Sequence, residues 1–165
     1  MKQNNPISVR FGIQEDVNCL IEWLQQPGIL QWFPLVDLRE IEDAARIWIS
    51  NIKFNSVLTA LWDGQPCGIA TLYIQPFKKL AHQSLFAVIV DEKYRGKGVG
   101  RQLLTELANL AKEQFHIELL HLEVYEGNPA IHLYQRLGFV QYGYQRHFIK
   151  QNGGYLGKIM MQKVL

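Results

Sequence analysis

Two cysteines in 165 residues, Cys19 and Cys67, are too few for a disulfide scaffold. They stand far apart and suit buried thiols in a reducing compartment, with a single disulfide between them as the alternative. No apolar run approaches the roughly 20 residues that a membrane span needs. The opening stretch MKQNNPISVRFG has no apolar signal-peptide core, so a cytoplasmic location is expected. Charge of one sign is scarce as well. A formal net charge of +2 and the lack of a basic stripe argue against a nucleic-acid-binding or membrane-surface protein. His82, His116, His132 and His147 form no metal-ligand grouping, so no metal is expected. With no repeat, low-complexity tract or Pro/Ser-rich linker, residues 1–165 read as one domain long enough for a sizeable core.

What is present is clear periodicity. ISVRFGI (7–13) reads as a strand, and Asp16 as the cap of a helix with Val17, Leu20, Ile21 and Leu24 on one face. A second helix over about 38–52 carries Ile41, Ala45, Trp48 and Ile52. SVLTALW and PCGIATLYI flank Asp63-Gly64 and predict a hairpin with a type I′ turn. SLFAVIV is too apolar for a half-exposed strand and should be central. Leu103, Leu104, Leu107, Leu110 and Ala111 form a helical stripe, followed by a strand at 117–124 and a short helix ending at Gly138. Two last strands flank Asn152-Gly153-Gly154. The order β-α-α-β-β-β-α-β-α-β-β predicts an α+β fold. Its mixed, mostly antiparallel central sheet carries helices on both faces.

Between the central strand and the Leu-rich helix stands YRGKGVGR (94–101), three glycines and three cations in eight residues. Glycine permits positive φ and close approach to the backbone, and a helix start offers free N–H groups and a positive dipole end. The ligand this suits is a phosphate or pyrophosphate. A P-loop needs Gly-Lys-Ser/Thr, which is absent. A dinucleotide fingerprint needs G-x-G-x-x-G, whereas Gly96, Gly98 and Gly100 are spaced G-x-G-x-G. A tight turn with exposed cations is the plain alternative.

VIVDEKYRGKGVGRQLL resembles the acetyl-CoA-binding motif of the GNAT superfamily of N-acetyltransferases, with Arg95, Gly98 and Gly100 as the R-x-x-G-x-G core. LHLEVYEGNPAIHLYQRLGF (120–139) resembles that family's next strand and helix. The resemblance implies a GNAT-like acyl-CoA N-acyltransferase fold. It also implies acetyl-CoA as co-substrate, with backbone groups of Val88 and Val90 beside its pantetheine arm. The stretch Arg95, Gly96, Lys97, Gly98, Val99, Gly100 and Arg101 would then hold the pyrophosphate. Tyr134 would protonate the leaving thiolate, which its ordinary pKa of about 10 allows at neutral pH. An ordinary core tyrosine is the alternative. The family often has an asparagine seven residues before that tyrosine. Here Gly127 takes that position, and Asn128 is either a shifted cofactor contact or only a helix N-cap.

On the acceptor side, His121, Glu123 and Tyr125 share one face of a strand whose other face is Leu120, Leu122 and Val124. Glu123 matches the L-E-V glutamate of family members that acetylate protein N-termini. Partial burial would raise its pKa toward useful basicity; His121 reads as structural. The loop carrying Trp32 and Phe33 lies where the resembled family builds its acceptor pocket, so these two and Tyr125 are the candidate acceptor-binding residues, with plugging of the core as the alternative for the two loop aromatics. Gly157 stands where many relatives acting on small amines carry an aspartate, so their substrate is not transferred. The implied activity is acetyl transfer from acetyl-CoA to a primary amine of a small molecule, amino acid or peptide N-terminus, by direct attack. A non-catalytic acyl-CoA-binding or regulatory module on the same fold is the other reading. The oligomeric state stays open, a homodimer included.

Overall fold

Alternation along the strands and the helical stripes send apolar residues to two faces of one sheet. The computed structural model describes residues 6–165; the first five, part of the stretch read for a leader, lie outside the described residues. The strands are β1 (Ile7–Phe11), β2 (Val57–Trp62), β3 (Gln65–Tyr73), β4 (Gln83–Val90), β5 (Leu119–Tyr125), β6 (Val140–Gln151) and β7 (Gly154–Val164). The helices are α1 (Asp16–Leu24), α2 (Leu38–Ser50), α3 (Val99–Phe115) and α4 (Ala130–Arg136), so the predicted order holds throughout. The sheet runs β1-β2-β3-β4-β5-β7-β6, which makes β4 central as its apolar run requires. β4 and β5 pair in parallel, and the remaining neighbours pair antiparallel.

Successive strand residues point to opposite faces, so Leu58, Ala70, Leu72 and Leu122 pack under α3 and α4 while Val57, Ile69 and Ile89 pack under α1 and α2. Leu103 and Leu107 of α3 and Leu20 and Ile49 of α1 and α2 are fully buried. Each such side chain is worth about 1.5–3 kcal/mol. The Asp63-Gly64 turn is of the predicted kind, and the turn at Asn152-Gly153 takes the same form. Asp63 and Gly64 have φ of 46° and 83°, and Asn152 and Gly153 have 50° and 74°, as type I′ turns demand.

Some boundaries differ from expectation. β1 stops at Phe11, because the Gly12 amide turns to the Val57 carbonyl and a Cβ there would meet Val57 at 2.7 Å. The stripe of α2 closes with buried Ile49, not Ile52, since Asn51–Phe54 tightens into a 3-10 turn. β5 starts at Leu119. Asp16 does not cap α1. Its carboxylate is buried and takes two bonds from Arg10 (2.8 and 2.9 Å), one from Thr59 (2.7 Å) and one from the Ile13 amide (3.0 Å). That cluster ties β1, β2 and the start of α1 together. A side-chain cap does open α2, where Asp37 accepts from the Glu40 amide (2.9 Å). Both thiols are free: Cys67 is buried and Cys19 half-buried. Among the described residues, no helix is long and apolar enough to cross a membrane.

Candidate active site

The site exists because β4 and β5 part company. They pair only over Gln83–Leu85 against Leu119–His121, and beyond that the strands separate. The gap opens a cleft of about 790 Å³, lined on one side by Phe86 to Val90 and on the other by Leu122 to Val124. The Asp91 amide donates to Cys67 on β3 (2.9 Å), so strand alternation turns the backbone groups of Val88 and Val90 toward the cleft. One of them is already used: the Val90 carbonyl accepts from Arg95 Nε at 3.0 Å.

At the end of β4, Asp91 Oδ1 accepts from the Lys93 amide and from Gln26 Nε2, which secures the turn to the segment after α1. Gly96 and Gly98 follow with φ of 72° and 89°. A Cβ at either would meet nothing within 4 Å, so both present bare backbone to open space. Gly98 is the N-cap of α3, and the first intrahelical bond runs from the Gln102 amide to Gly98. The amides of Val99, Gly100 and Arg101 therefore have no intrahelical acceptor. Gly100 serves packing instead: a Cβ there would lie 3.1 Å from Leu133. Arg95, Arg101 and Arg136 line the cleft, a tri-cationic wall suited to an anion.

Among the predicted cofactor residues Lys97 departs. Its ammonium sits 5.5 Å from the ring centres of both Trp62 and Tyr94, off the cleft. Val99 is buried, so only its amide is available. Asn128 lines the cleft, but its Oδ1 accepts from the Ala130 amide (2.9 Å) at the start of α4. Arg136 escaped the sequence reading; its signal was a cation in the last turn of the helix that carries Tyr134.

Tyr134 lines the cleft with its ring packed edge-on against Phe86 and Phe139, at 6.3 and 6.2 Å. Burial pushes its phenol up to about 12, so it is protonated at neutral pH. Among the described residues its hydroxyl has no hydrogen-bond partner. Trp32 and Phe33 form the facing wall, Trp32 lying 4.0 Å from where a Gly127 Cβ would stand.

Glu123 lines the cleft too, yet it is not buried as expected. Its side chain is 43% exposed, and Lys158 Nζ pairs with it at 3.0 Å. Tyr125 lies off the cleft, contrary to its assignment to acceptor binding. A bulge in β6 between Gln145 and Ile149 carries Phe148 onto its ring at 5.9 Å. Burial, with Glu123 adding to it, raises the Tyr125 phenol to about 12, and its hydroxyl has no partner among the described residues. His121 is half-buried, off the cleft, and held below its usual range mainly by burial. At Gly157 a Cβ would run into the ring of Tyr144, whose hydroxyl donates to Glu126 at 3.1 Å. An aspartate has no room there unless Tyr144 moves. No group of three or more His, Cys, Asp or Glu among the described residues is placed to hold a metal ion.

Comparison with known proteins matches residues 18–139 to the model of the acetyltransferase (GNAT) family. The chain is 28% identical over 108 residues to the L-amino acid N-acetyltransferase AaaT of Escherichia coli (strain K12), covering 65% of this chain and 67% of that protein. It is 41% identical over 51 residues to a spermine/spermidine N(1)-acetyltransferase of Bacillus subtilis (strain 168), covering 30% and 34%. The second match thus spans only about a third of its relative. Among solved structures, an acetyltransferase of Salmonella typhimurium with its cofactor acetyl-CoA superposes with a TM-score of 0.78 at 23% identity. That likeness covers 98% of this chain and 95% of the other, and it shows the fold.

Proposed function

The chain belongs to the acetyltransferase (GNAT) family, and from that premise we propose that it transfers the acetyl group of acetyl-CoA to a primary amine. The acceptor belongs to a small molecule, an amino acid or a peptide N-terminus, and residues 1–165 act as one catalytic domain, in the cytoplasm. The observation that carries the reading is Tyr134: a protonated phenol, without an internal partner, that lines the cleft. A module that only senses acyl-CoA has no use for a proton donor there.

The chain's residues divide the work. Amides at the start of α3, with Arg95, Arg101 and Arg136, bind the pyrophosphate. Gly96 and Gly98 leave the backbone open for it, and the Val88 and Val90 edge of β4 aligns the pantetheine arm. A main-chain N–H of that edge holds the acetyl oxygen as charge develops on it. The neutral amine attacks the acetyl carbon, forming the C–N bond as the C–S bond breaks. Glu123 takes the amine proton through a water, and Tyr134 gives its proton to the departing thiolate. Acetyl-CoA consumption across a panel of amines, with the product identified by mass, tests the whole. CoA binding without acetylation of any amine would overturn it in favour of a binding module.

Two variants probe its parts. Gly98→Val places a side chain where the backbone is open and at a φ of 89° that Val resists. CoA binding should weaken about 10- to 100-fold, the loss of one or two well-made amide contacts. Lys97→Ala, off the cleft, should change it less than about threefold. Calorimetry that finds equal small effects removes the backbone cradle. Glu123→Gln should lower kcat and abolish the acidic limb of its pH profile if the carboxylate accepts the proton. A rise in KM alone, with that limb intact, makes Glu123 a binding group only.

A further inference from the structure

Glu123 is the single carboxylate among the residues that line the cleft, where it is outnumbered by Arg95, Arg101 and Arg136. Those three lie with the residues assigned to the phosphates. At the other end the charge of Glu123 is not free. The Lys158 ammonium pairs with it at 3.0 Å while lying 4.0 Å from the centre of the Phe148 ring, and the Lys158 side chain is only 10% exposed. A lysine so enclosed is a fixed counter-charge, unlike a mobile surface ion pair. The β6 bulge makes this enclosure, because it drops Phe148 out of the ladder and over β7. The nearby Glu126 is off the cleft and already accepts from the Tyr144 hydroxyl and the Gly157 amide. The Tyr144 ring also fills the space that a carboxylate at position 157 would need. His121 and Tyr125, the other titratable groups on this face of β5, are both off the cleft.

We propose that the Glu123–Lys158 pair is a charge filter that leaves the acceptor end of the cleft neutral, so that the acceptor carries one cationic amine and is not a polyamine. The proposal rests on the amine-acetyltransferase reading above and selects among its substrates. A diamine or polyamine brings a second ammonium, which needs a net negative wall to offset its loss of water. Here one carboxylate is matched by one ammonium, and no attraction is left for the second cation. Lys158 is thus a specificity-determining residue that acts through Glu123.

The test compares hexylamine with the terminal diamine of the same chain length, as the ratio of their kcat/KM values on one enzyme. In the wild type the ratio should favour hexylamine, because the second ammonium of the diamine loses water with no net charge to offset it. Lys158→Met unmasks Glu123, which can hydrate because it is part-exposed, and should raise the diamine-to-monoamine ratio about tenfold. That is the factor a full charge supplies at about 7 Å and an effective dielectric near 40. Lys158→Arg should keep the wild-type ratio. Lys158→Met combined with Glu123→Gln is neutral again and should restore it, whatever happens to the absolute rate, because the ratio cancels losses common to both acceptors. A ratio unmoved in Lys158→Met, with CoA affinity and melting temperature intact, overturns the filter. So does a wild type that favours the diamine. Should Lys158→Met not fold, Glu123→Gln alone must lower the ratio, and an unchanged one overturns the proposal. Failure to acetylate any amine sinks the transferase reading instead. The filter is then read from the dissociation constants of the same two amines on the CoA-loaded protein, where Lys158→Met must again favour the diamine.

Discussion

Tyr134→Phe is expected to cut turnover by about 10²–10⁴ while CoA affinity stays within about twofold of wild type. The variant keeps the ring on Phe86 and Phe139, so the packing survives. It removes only a hydroxyl with no partner among the described residues, so little stability is lost with it. A phenol raised to about 12 is a reluctant donor to a thiolate whose conjugate acid lies near 8.5, which places the loss toward the lower end of that range. For the same reason, no alkaline limb of the rate profile between pH 8 and about pH 11 should trace to Tyr134. Steady-state rates, with chemistry shown to limit, decide the matter. An unchanged turnover number makes Tyr134 a packing residue.

Asp16→Ala should be the most destabilising change outside the apolar core. It orphans the Thr59 hydroxyl, whose residue is fully buried, and leaves Arg10 without its partner. Removing one member of a buried pair costs about 3–5 kcal/mol, and since Arg10 can still reach water the low end applies. For a chain of this size about 3 kcal/mol lowers the melting temperature by about 6–12 °C. Burial alone would raise the Asp16 carboxyl, but bonds from Arg10, Thr59 and the Ile13 amide outweigh it and hold the group below its usual range. A carboxyl depressed in the folded state adds stability that is complete above its unfolded value near 3.9 and is lost as pH falls through the folded one. Wild-type protein should therefore lose stability below about pH 4 more steeply than Asp16→Asn. Parallel acid limbs in the two proteins would show that the charge of Asp16 contributes nothing.

Much of this molecule is legible from order and periodicity. The spacing of Leu103, Leu107 and Leu110, the apolar run of β4 and the two type I′ turns are local facts, so the element order and the α+β class follow without coordinates. The glycine turn is legible for the same reason. Positive φ at Gly96 and Gly98 and the free amides at the start of α3 depend on a few adjacent residues. Strand parity likewise assigns Glu123 and Tyr125 to one face, opposite Leu122 and Val124.

What parity leaves open is what lies across the strand. Lys158 stands 35 positions after Glu123 and reaches it only because β7 runs antiparallel beside β5. Phe148 covers Tyr125 because a bulge shifts the β6 register, which no alternation pattern announces. Lys97 belongs by sequence to the cationic turn, and only the packing of β2 against that turn puts Trp62, beside the turn's own Tyr94, within its reach. Asp16 reads as a helix cap until the chain brings Arg10 and Thr59 to it from two strands. Local chemistry thus determined the elements and the anion-binding turn. Charge compensation, burial of particular polar groups and the opening between β4 and β5 are properties of pairs distant in the chain, and only the tertiary structure decided them.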